Sequence, residues 1–196
     1  RGGFRKKAPF SFGGSPDQAY GQIDEFMNVC VEIEKEVKTV NGQQELFELR
    51  VTQYPECMDT RKEARLLKML WDFKAMNAIV FEAWTTQLWA EIDTEDLEDQ
   101  TKGIMKNLRK VGNDNSIVKG WEVYRDNEQG VKDMAIVLPL INELHSQAMR
   151  DRHWASLSKV CNREDDPLDP DLPTFCLNDL LELKLQEHVL DVEEIV

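Results

Sequence analysis

The sequence lacks any long hydrophobic run. Its longest nearly continuous apolar stretch covers residues 134–141 and includes Pro139, whereas a membrane-spanning helix needs about 20 apolar residues. A basic and then apolar start of the secretory type is also missing. We therefore predict no membrane span. Because the chain starts without Met and ends inside an apolar pattern at Val196, we expect a piece cut from a longer polypeptide.

Catalytic and nucleotide-binding motifs are also missing. The chain has no Gly-x-x-x-x-Gly-Lys-Ser/Thr, His-Glu-x-x-His, Gly-x-Ser-x-Gly or Gly-x-Gly-x-x-Gly sequence, which are spacings that hold phosphates, zinc or a nucleophilic serine. Its three histidines, His145, His153 and His188, have no Cys or Ser at a motif spacing. We predict no catalytic, cofactor-binding or metal site. The weaker alternative is an enzyme built from His145, His153 and the acids of residues 164–171.

Cysteine is scarce, and its spacing suggests no paired ligands. Cys30, Cys57, Cys161 and Cys176 form no Cys-x-x-Cys motif, and no Asn-x-Ser/Thr site accompanies them. This pattern favours small buried residues in a reducing, intracellular setting. A metal site formed by His153, Cys161 and Cys176 is the alternative, although zinc ligands usually come in closely spaced pairs.

Positive charge is in short supply beyond the first residues. The chain has 24 Lys and Arg against 37 Asp and Glu, a net charge of −13, and residues 1–16 contain no acid. So acidic a protein repels nucleic acid and the acidic surface of microtubules. We predict no direct binding to nucleic acid or to microtubules. Residues 1–16 are interpreted as a flexible basic connector, with an RNA-binding Arg-Gly-Gly tract as the alternative.

Helical periodicity, by contrast, is abundant. Ser15, Pro16 and Gln18 form a capping-box start, and the apolar residues behind them predict one helix over residues 17–42. A second short helix is expected over 43–49. Thr60 and Glu63 predict a second capping box that opens a helix of about thirty residues. Another helix is predicted from residue 93 or 94 to a turn at 112–115.

The remaining patterns predict helices separated by turns. We expect Pro139 to kink or break a long helix that starts near residue 117, residues 163–174 to form a solvated proline-containing loop, and Asn178 to cap a last helix. The five tryptophans suit packing between helices better than stacking on bases. Since no alternating strand pattern is found, we predict an all-α fold: an elongated bundle of long amphipathic helices of linker type, without a sheet.

The run Arg-Asp-Arg-His-Trp at residues 150–154 is the most distinctive feature. Arg150 and Arg152 offer forked donors, His153 is a polar ring and Trp154 is a large apolar group. These side chains suit a corner in which the arginines bond exposed carbonyls at a helix end. Two solvated arginines followed by a core tryptophan is the alternative interpretation.

Several motifs in a fixed order resemble the N-terminal part of the linker of dynein heavy chains. The likeness extends over residues 17–196 and is greatest to axonemal outer-arm heavy chains of the β type. It rests on the residues at 63–72, 88–89, 92–93, 121, 138–141, 144, 148–154, 157, 180–183 and 192–196.

The resemblance implies a tail-proximal helix over residues 17–42 and the N-terminal part of the linker over 43–196. Such heavy chains are minus-end-directed microtubule motors of the axoneme in cilia and flagella, and they hydrolyse ATP with Mg in an AAA+ ring. The segment is expected to transmit the power stroke of that ring to the tail, with no cofactor of its own. The implied partners are the ring and the neighbouring heavy, intermediate and light chains. A non-catalytic docking bundle for assembly of the outer arm is the alternative.

Overall fold

The computed structural model describes residues 2–11, 13–163 and 168–196, and these residues form helices joined by turns. The α-helices in these ranges are α1 (Gly2–Lys7), α2 (Pro16–Leu46), α3 (Pro55–Thr85), α4 (Thr94–Asp114), α5 (Glu122–Leu144), α6 (Asp151–Val160), α7 (Leu177–Leu181) and α8 (Val189–Ile195). Short 3₁₀ helices cover Trp89–Glu91, Ser116–Gly120 and Leu185–Glu187. The same ranges contain no strand, only one isolated bridge, so the all-α prediction is confirmed. None of the described helices has the length and apolarity of a membrane span.

The chain divides into two compact units. Unit 1 comprises Arg1–Ala75 and Asp114–Asn127, and unit 2 comprises Met76–Asn113 and Glu128–Val196. The helices α3 and α5 each contribute residues to both units. The predicted boundary between residues 42 and 43 is not a boundary between these units, because both sides of it lie in unit 1.

The start of α2 agrees with the sequence prediction, but its end does not. The backbone N–H of Gln18 donates to Ser15 Oγ at 3.4 Å, and the Ser15 N–H donates to Gln18 Oε1 at 3.3 Å. The helix then continues past Gly42 to Leu46, so the separate helix predicted over 43–49 is wrong. One glycine costs a helix only about 1 kcal/mol, which is too little to end it among good helix formers.

The predicted start of α3 is also wrong. The helix begins at Pro55, and the Thr60 hydroxyl lies inside it and donates to the carbonyl of Glu56 at 2.7 Å. Proline is well suited to the first helical position, where its missing N–H would have no helical partner. Pro55 therefore starts the helix rather than separating it from the preceding residues.

Helices α4 and α5 follow the predicted order. Asp93 Oδ1 accepts the backbone N–H of Asp96 at 3.1 Å, which caps α4 as its acidic start suggests. Helix α5 continues through Pro139 to Leu144, so the expected break does not occur. Leu138 and Leu140 on either side of the proline are buried, and this burial offsets the lost hydrogen bond.

The last predicted helix is replaced by shorter pieces. Asp179 Oδ2 accepts the backbone N–H of Cys176 at 2.8 Å and caps α7, whereas Asn178, the predicted cap, donates to Glu182 instead. Lys184 has a left-handed backbone with φ of 52°. Because this conformation cannot continue a helix, the chain passes into a 3₁₀ turn and then α8.

The N-terminal segment is packed into unit 1. Phe4 is 3% exposed, and its ring lies 5.4 Å from that of Phe10 and 5.1 Å from that of Phe26. The carbonyl of Pro9 accepts the indole N–H of Trp71 at 2.9 Å. Phe4 and Pro9 are thus buried within unit 1, in a segment that the sequence predicted to be a flexible connector. Burial of phenylalanine outweighs the basic, glycine-containing composition.

Unit 2 has its own continuous hydrophobic core. Its largest fully buried side chains come from α4 to α7: Leu97, Leu108, Leu138, Ile141, Leu144, Leu157, Leu177 and Leu180. Three aromatic residues, Trp89, Trp154 and Phe175, join this core at the turn between α5 and α6. The run singled out in the sequence lies at this turn.

Candidate functional site

The corner, defined as residues 145–154, connects α5 to α6. Arg150 occupies the extended position before α6, with φ of −135° and ψ of 162°. Its Nη1 donates to the carbonyl of Gln147 at 3.2 Å and to that of Met149 at 3.4 Å. The predicted bond to carbonyls is therefore found for Arg150, but the carbonyls belong to the connecting turn and not to the last residues of α5. Arg152 donates to His153 instead.

His153 contributes to the same cap. Its Nδ1 lies 3.2 Å from the backbone N–H of Arg150, and its Nε2 lies 3.0 Å from Nε of Arg152. Both neighbours are donors, and a neutral imidazole has only one nitrogen that accepts. The ring therefore accepts from one of them at a time, and these contacts assign His153 to holding the start of α6.

Trp154 supplies the apolar half of the corner. It is 5% exposed, and its ring packs edge-to-face against Trp89 at 5.8 Å and Phe175 at 6.0 Å. Trp89 and Phe175 are also in edge-to-face contact, at 5.8 Å. Such pairs add about 0.5–1.5 kcal/mol each beyond the area that they bury. The tryptophan is thus a core residue, as both interpretations of the run required.

Backbone hydrogen bonds join the two segments that carry Trp89 and Phe175. Trp89 N–H donates to the carbonyl of Phe175 at 2.9 Å, and Leu177 N–H donates to that of Gln87 at 3.0 Å. These bonds form the antiparallel bridge between Leu88 and Cys176. This bridge could not be predicted from the sequence, because a bridge of single residues has no periodicity.

Two side chains connect further segments to the corner. His145 Nε2 lies 3.0 Å from the carbonyl of Trp89, and its ring makes an edge contact with the indole. Ser158, which is buried, donates to the carbonyl of Trp154 at 2.9 Å and accepts the N–H of Leu168 at 3.2 Å. Since Leu168 is itself 9% exposed, residues 163–174 are not a fully solvated loop.

None of the catalytic or metal sites considered from the sequence is assembled in the described ranges. His188 lies 3.8 Å from Asp191, so the three histidines contact different partners. Among the described residues, no group of three His, Cys, Asp or Glu side chains is arranged to hold a metal ion, and this covers His153, Cys161 and Cys176. Residues 164–167 of the acidic cluster lie outside the described residues.

A second feature, in unit 1, was not singled out in the sequence. The predicted stripe of α2 is buried at Ala19, Ile23 and Cys30, half-buried at Val37 and exposed at Ile33 and Val40. We call the exposed set the apolar face: Val29, Ile33, Val40, Leu46, Phe47, Leu49 and Met58, which are between 39% and 77% exposed. Cavities of 460 Å³ and 690 Å³ lie beside it. Exposed large apolar side chains in this number, within residues 29–58 of unit 1, are typical of an interaction site.

Comparison with known proteins gives a consistent result. The family model described as dynein heavy chain, N-terminal region 2, matches residues 57–196. The dynein beta chain of the flagellar outer arm of Chlamydomonas reinhardtii is 33% identical over 98% of this chain, and the ciliary dynein beta chain of Tripneustes gratilla is 31% identical over 98%. The dynein alpha chain of the Chlamydomonas reinhardtii flagellar outer arm is 29% identical over 100%. The chain spans about 4% of the length of each of these relatives.

Proposed function

The chain belongs to the dynein heavy chain family, in the N-terminal region 2 of those proteins, and we propose that it is a mechanical linker or tail segment of an axonemal heavy chain. In this role it transmits the ATP-driven power stroke of the AAA+ ring to the tail during minus-end-directed motility in cilia or flagella. ATP and Mg act in the ring. The segment's partners are that ring and the neighbouring heavy, intermediate and light chains, and it contacts the microtubule only indirectly.

The observation that supports this role is the corner of unit 2. A force-bearing segment needs its turns held by many simultaneous contacts, because a close-packed interior transmits strain with little compression. At the corner, Arg150 and His153 make hydrogen bonds to backbone groups of the turn. The backbone bridge at Leu88 joins two segments that are distant in sequence. Three aromatic rings fill the interior. Its polar groups are used to hold backbone, which suits a mechanical part better than a catalytic one.

A motility assay on the parent heavy chain tests the proposal. Trp154→Phe keeps an aromatic ring but loosens the packing against Trp89 and Phe175, so we expect slower microtubule gliding while ATP turnover by the ring is nearly unchanged. Ile79→Ala, at a 67% exposed position of unit 2, is the matched control and leaves both rates unaltered. An equal loss of gliding speed and ATP turnover, or ATP hydrolysis by the purified chain alone, contradicts the mechanical role.

The apolar face of unit 1 favours a second function, a docking bundle for assembly of the outer arm. Leu46 and Phe47 are 77% and 70% exposed, and burying a large apolar side chain contributes about 1.5–3 kcal/mol. A partner seated on this face therefore gains affinity from few residues. The two functions are compatible, because they use different units.

Substituting the two most exposed of these residues tests docking. The double change Leu46→Ser and Phe47→Ser removes about 3 kcal/mol of burial in a complex, so we expect roughly a hundredfold weaker association of the parent chain with its assembly partners. The measurement is co-sedimentation of the arm subunits, with circular dichroism to check folding. Ile79→Ser is the control. Unchanged co-sedimentation of the double variant excludes the apolar face as the docking surface.

A further inference from the structure

Two of the four cysteines meet in unit 1 although 27 residues separate them. Cys30 lies on α2 and is 4% exposed, and Cys57 lies in the first turn of α3 and is half-buried. The Cys57 thiol donates to the backbone carbonyl of Cys30 at 3.7 Å. The two cysteines are therefore direct neighbours across α2 and α3.

The pair has a route to small reagents. Both cysteines line the 460 Å³ cavity, whose walls include Phe26, Val29 and Ile33. Cys57 also lines the 690 Å³ cavity on the other side. A molecule the size of a hydroperoxide fits either space and reaches the Cys57 sulfur without unfolding of the helices.

We propose that Cys30 and Cys57 are an oxidisable dithiol, which a hydroperoxide converts to an intrachain disulfide between α2 and α3. Cys57 loses its proton, and its thiolate attacks one oxygen of hydrogen peroxide. The O–O bond breaks, Cys57 sulfenic acid forms, and the departing hydroxide takes up the proton that Cys57 lost and leaves as water. The Cys30 sulfur then attacks the Cys57 sulfur, the S–O bond breaks, and hydroxide leaves with the Cys30 proton as a second water. Two thiols lose two electrons, and the peroxide gains them.

The two cysteines have different roles in this reaction. Burial raises the pKa of the Cys30 thiol, and the neighbouring Cys57 thiol raises it further. Since the thiolate is the nucleophile, the more accessible Cys57 reacts first and Cys30 resolves the sulfenic acid. The disulfide then fixes the first turn of α3 to α2 beside the apolar face.

Peptide mapping of the 196-residue chain after exposure to hydrogen peroxide tests the proposal. Lys35, Lys38 and Arg50 lie between the two cysteines, so trypsin separates them unless a disulfide joins their peptides. We expect one disulfide-linked pair of peptides, whose mass is two hydrogen atoms below the sum of the two free peptides. Dithiothreitol separates the pair again. The closed loop also raises the thermal midpoint by several degrees.

The other cysteines provide matched controls. The double variant Cys161→Ser, Cys176→Ser retains the link and the higher midpoint, and Cys57→Ser, checked for folding by circular dichroism, loses both. The proposal fails if Cys161 or Cys176 appears in linked peptides of the folded chain as often as the Cys30 and Cys57 pair. It also fails if Cys57 of the unsubstituted chain proceeds to sulfinic acid without a link, or stays reduced while a free small thiol is oxidised.

Discussion

Replacing Trp154 with alanine lowers the free energy of unfolding of the chain by about 3–5 kcal/mol, the range for truncation of a large buried aromatic residue. The indole is nearly fully buried and contacts both Trp89 and Phe175 edge-to-face. Its loss leaves a cavity and removes the two ring contacts. Urea titration followed by circular dichroism measures the change.

Its neighbour His153 gives the control for this prediction. His153→Ala removes an acceptor for the Arg150 N–H at an exposed helix start, and caps of this kind contribute about 1 kcal/mol. We therefore expect the tryptophan variant to be several times more destabilised than the histidine variant. Similar losses for both substitutions contradict a corner held chiefly by its aromatic core.

Replacing Trp71 with alanine has an effect of the same size in unit 1. This side chain is fully buried, and its indole N–H donates to the carbonyl of Pro9 at 2.9 Å. We expect a loss of about 3–5 kcal/mol on truncation. Trp71→Phe keeps most of the apolar contact but leaves the buried Pro9 carbonyl without this donor, which costs about 1–3 kcal/mol. Urea titration measures both losses of unfolding free energy.

A second readout separates packing from the hydrogen bond to Pro9. If that bond anchors the N-terminal segment, trypsin cleaves after Lys6 and Lys7 faster in Trp71→Phe than in the unsubstituted chain. Lys74→Ala is the control, since the Lys74 amine lies 4.9 Å above the Trp71 ring and a cation–π contact contributes only about 0.5–2 kcal/mol. The prediction is contradicted if Trp71→Ala loses less free energy of unfolding than Lys74→Ala.

Local features of the fold were predictable from the sequence. The Ser15 and Gln18 capping box and the Asp93 start of α4 were found correctly, because each depends on hydrogen bonds between residues no more than three apart. Errors arose where one local sequence pattern is compatible with two structures. Pro55 starts a helix instead of breaking one, and Pro139 is tolerated inside α5.

Only part of the candidate site could be predicted from the sequence. The run at residues 150–154 and its buried tryptophan were singled out correctly, and so was the family resemblance. The partners of Trp154 were not found, since Trp89 and Phe175 lie 65 and 21 residues away in the sequence. Neither belongs to a regular element whose periodicity indicates which neighbour it meets.

The sequence by itself determined the all-helical class, the family and the distinctive run that contains Trp154, since composition, 3.6-residue periodicity and ordered motifs are properties of the chain. Tertiary structure alone decided which parts meet. Folding buries Phe4 in a segment that reads as a basic connector, leaves Phe47 exposed at the end of α2, and places Cys57 against Cys30. The free energy of such contacts depends on burial between distant residues, and no short window of sequence encodes it.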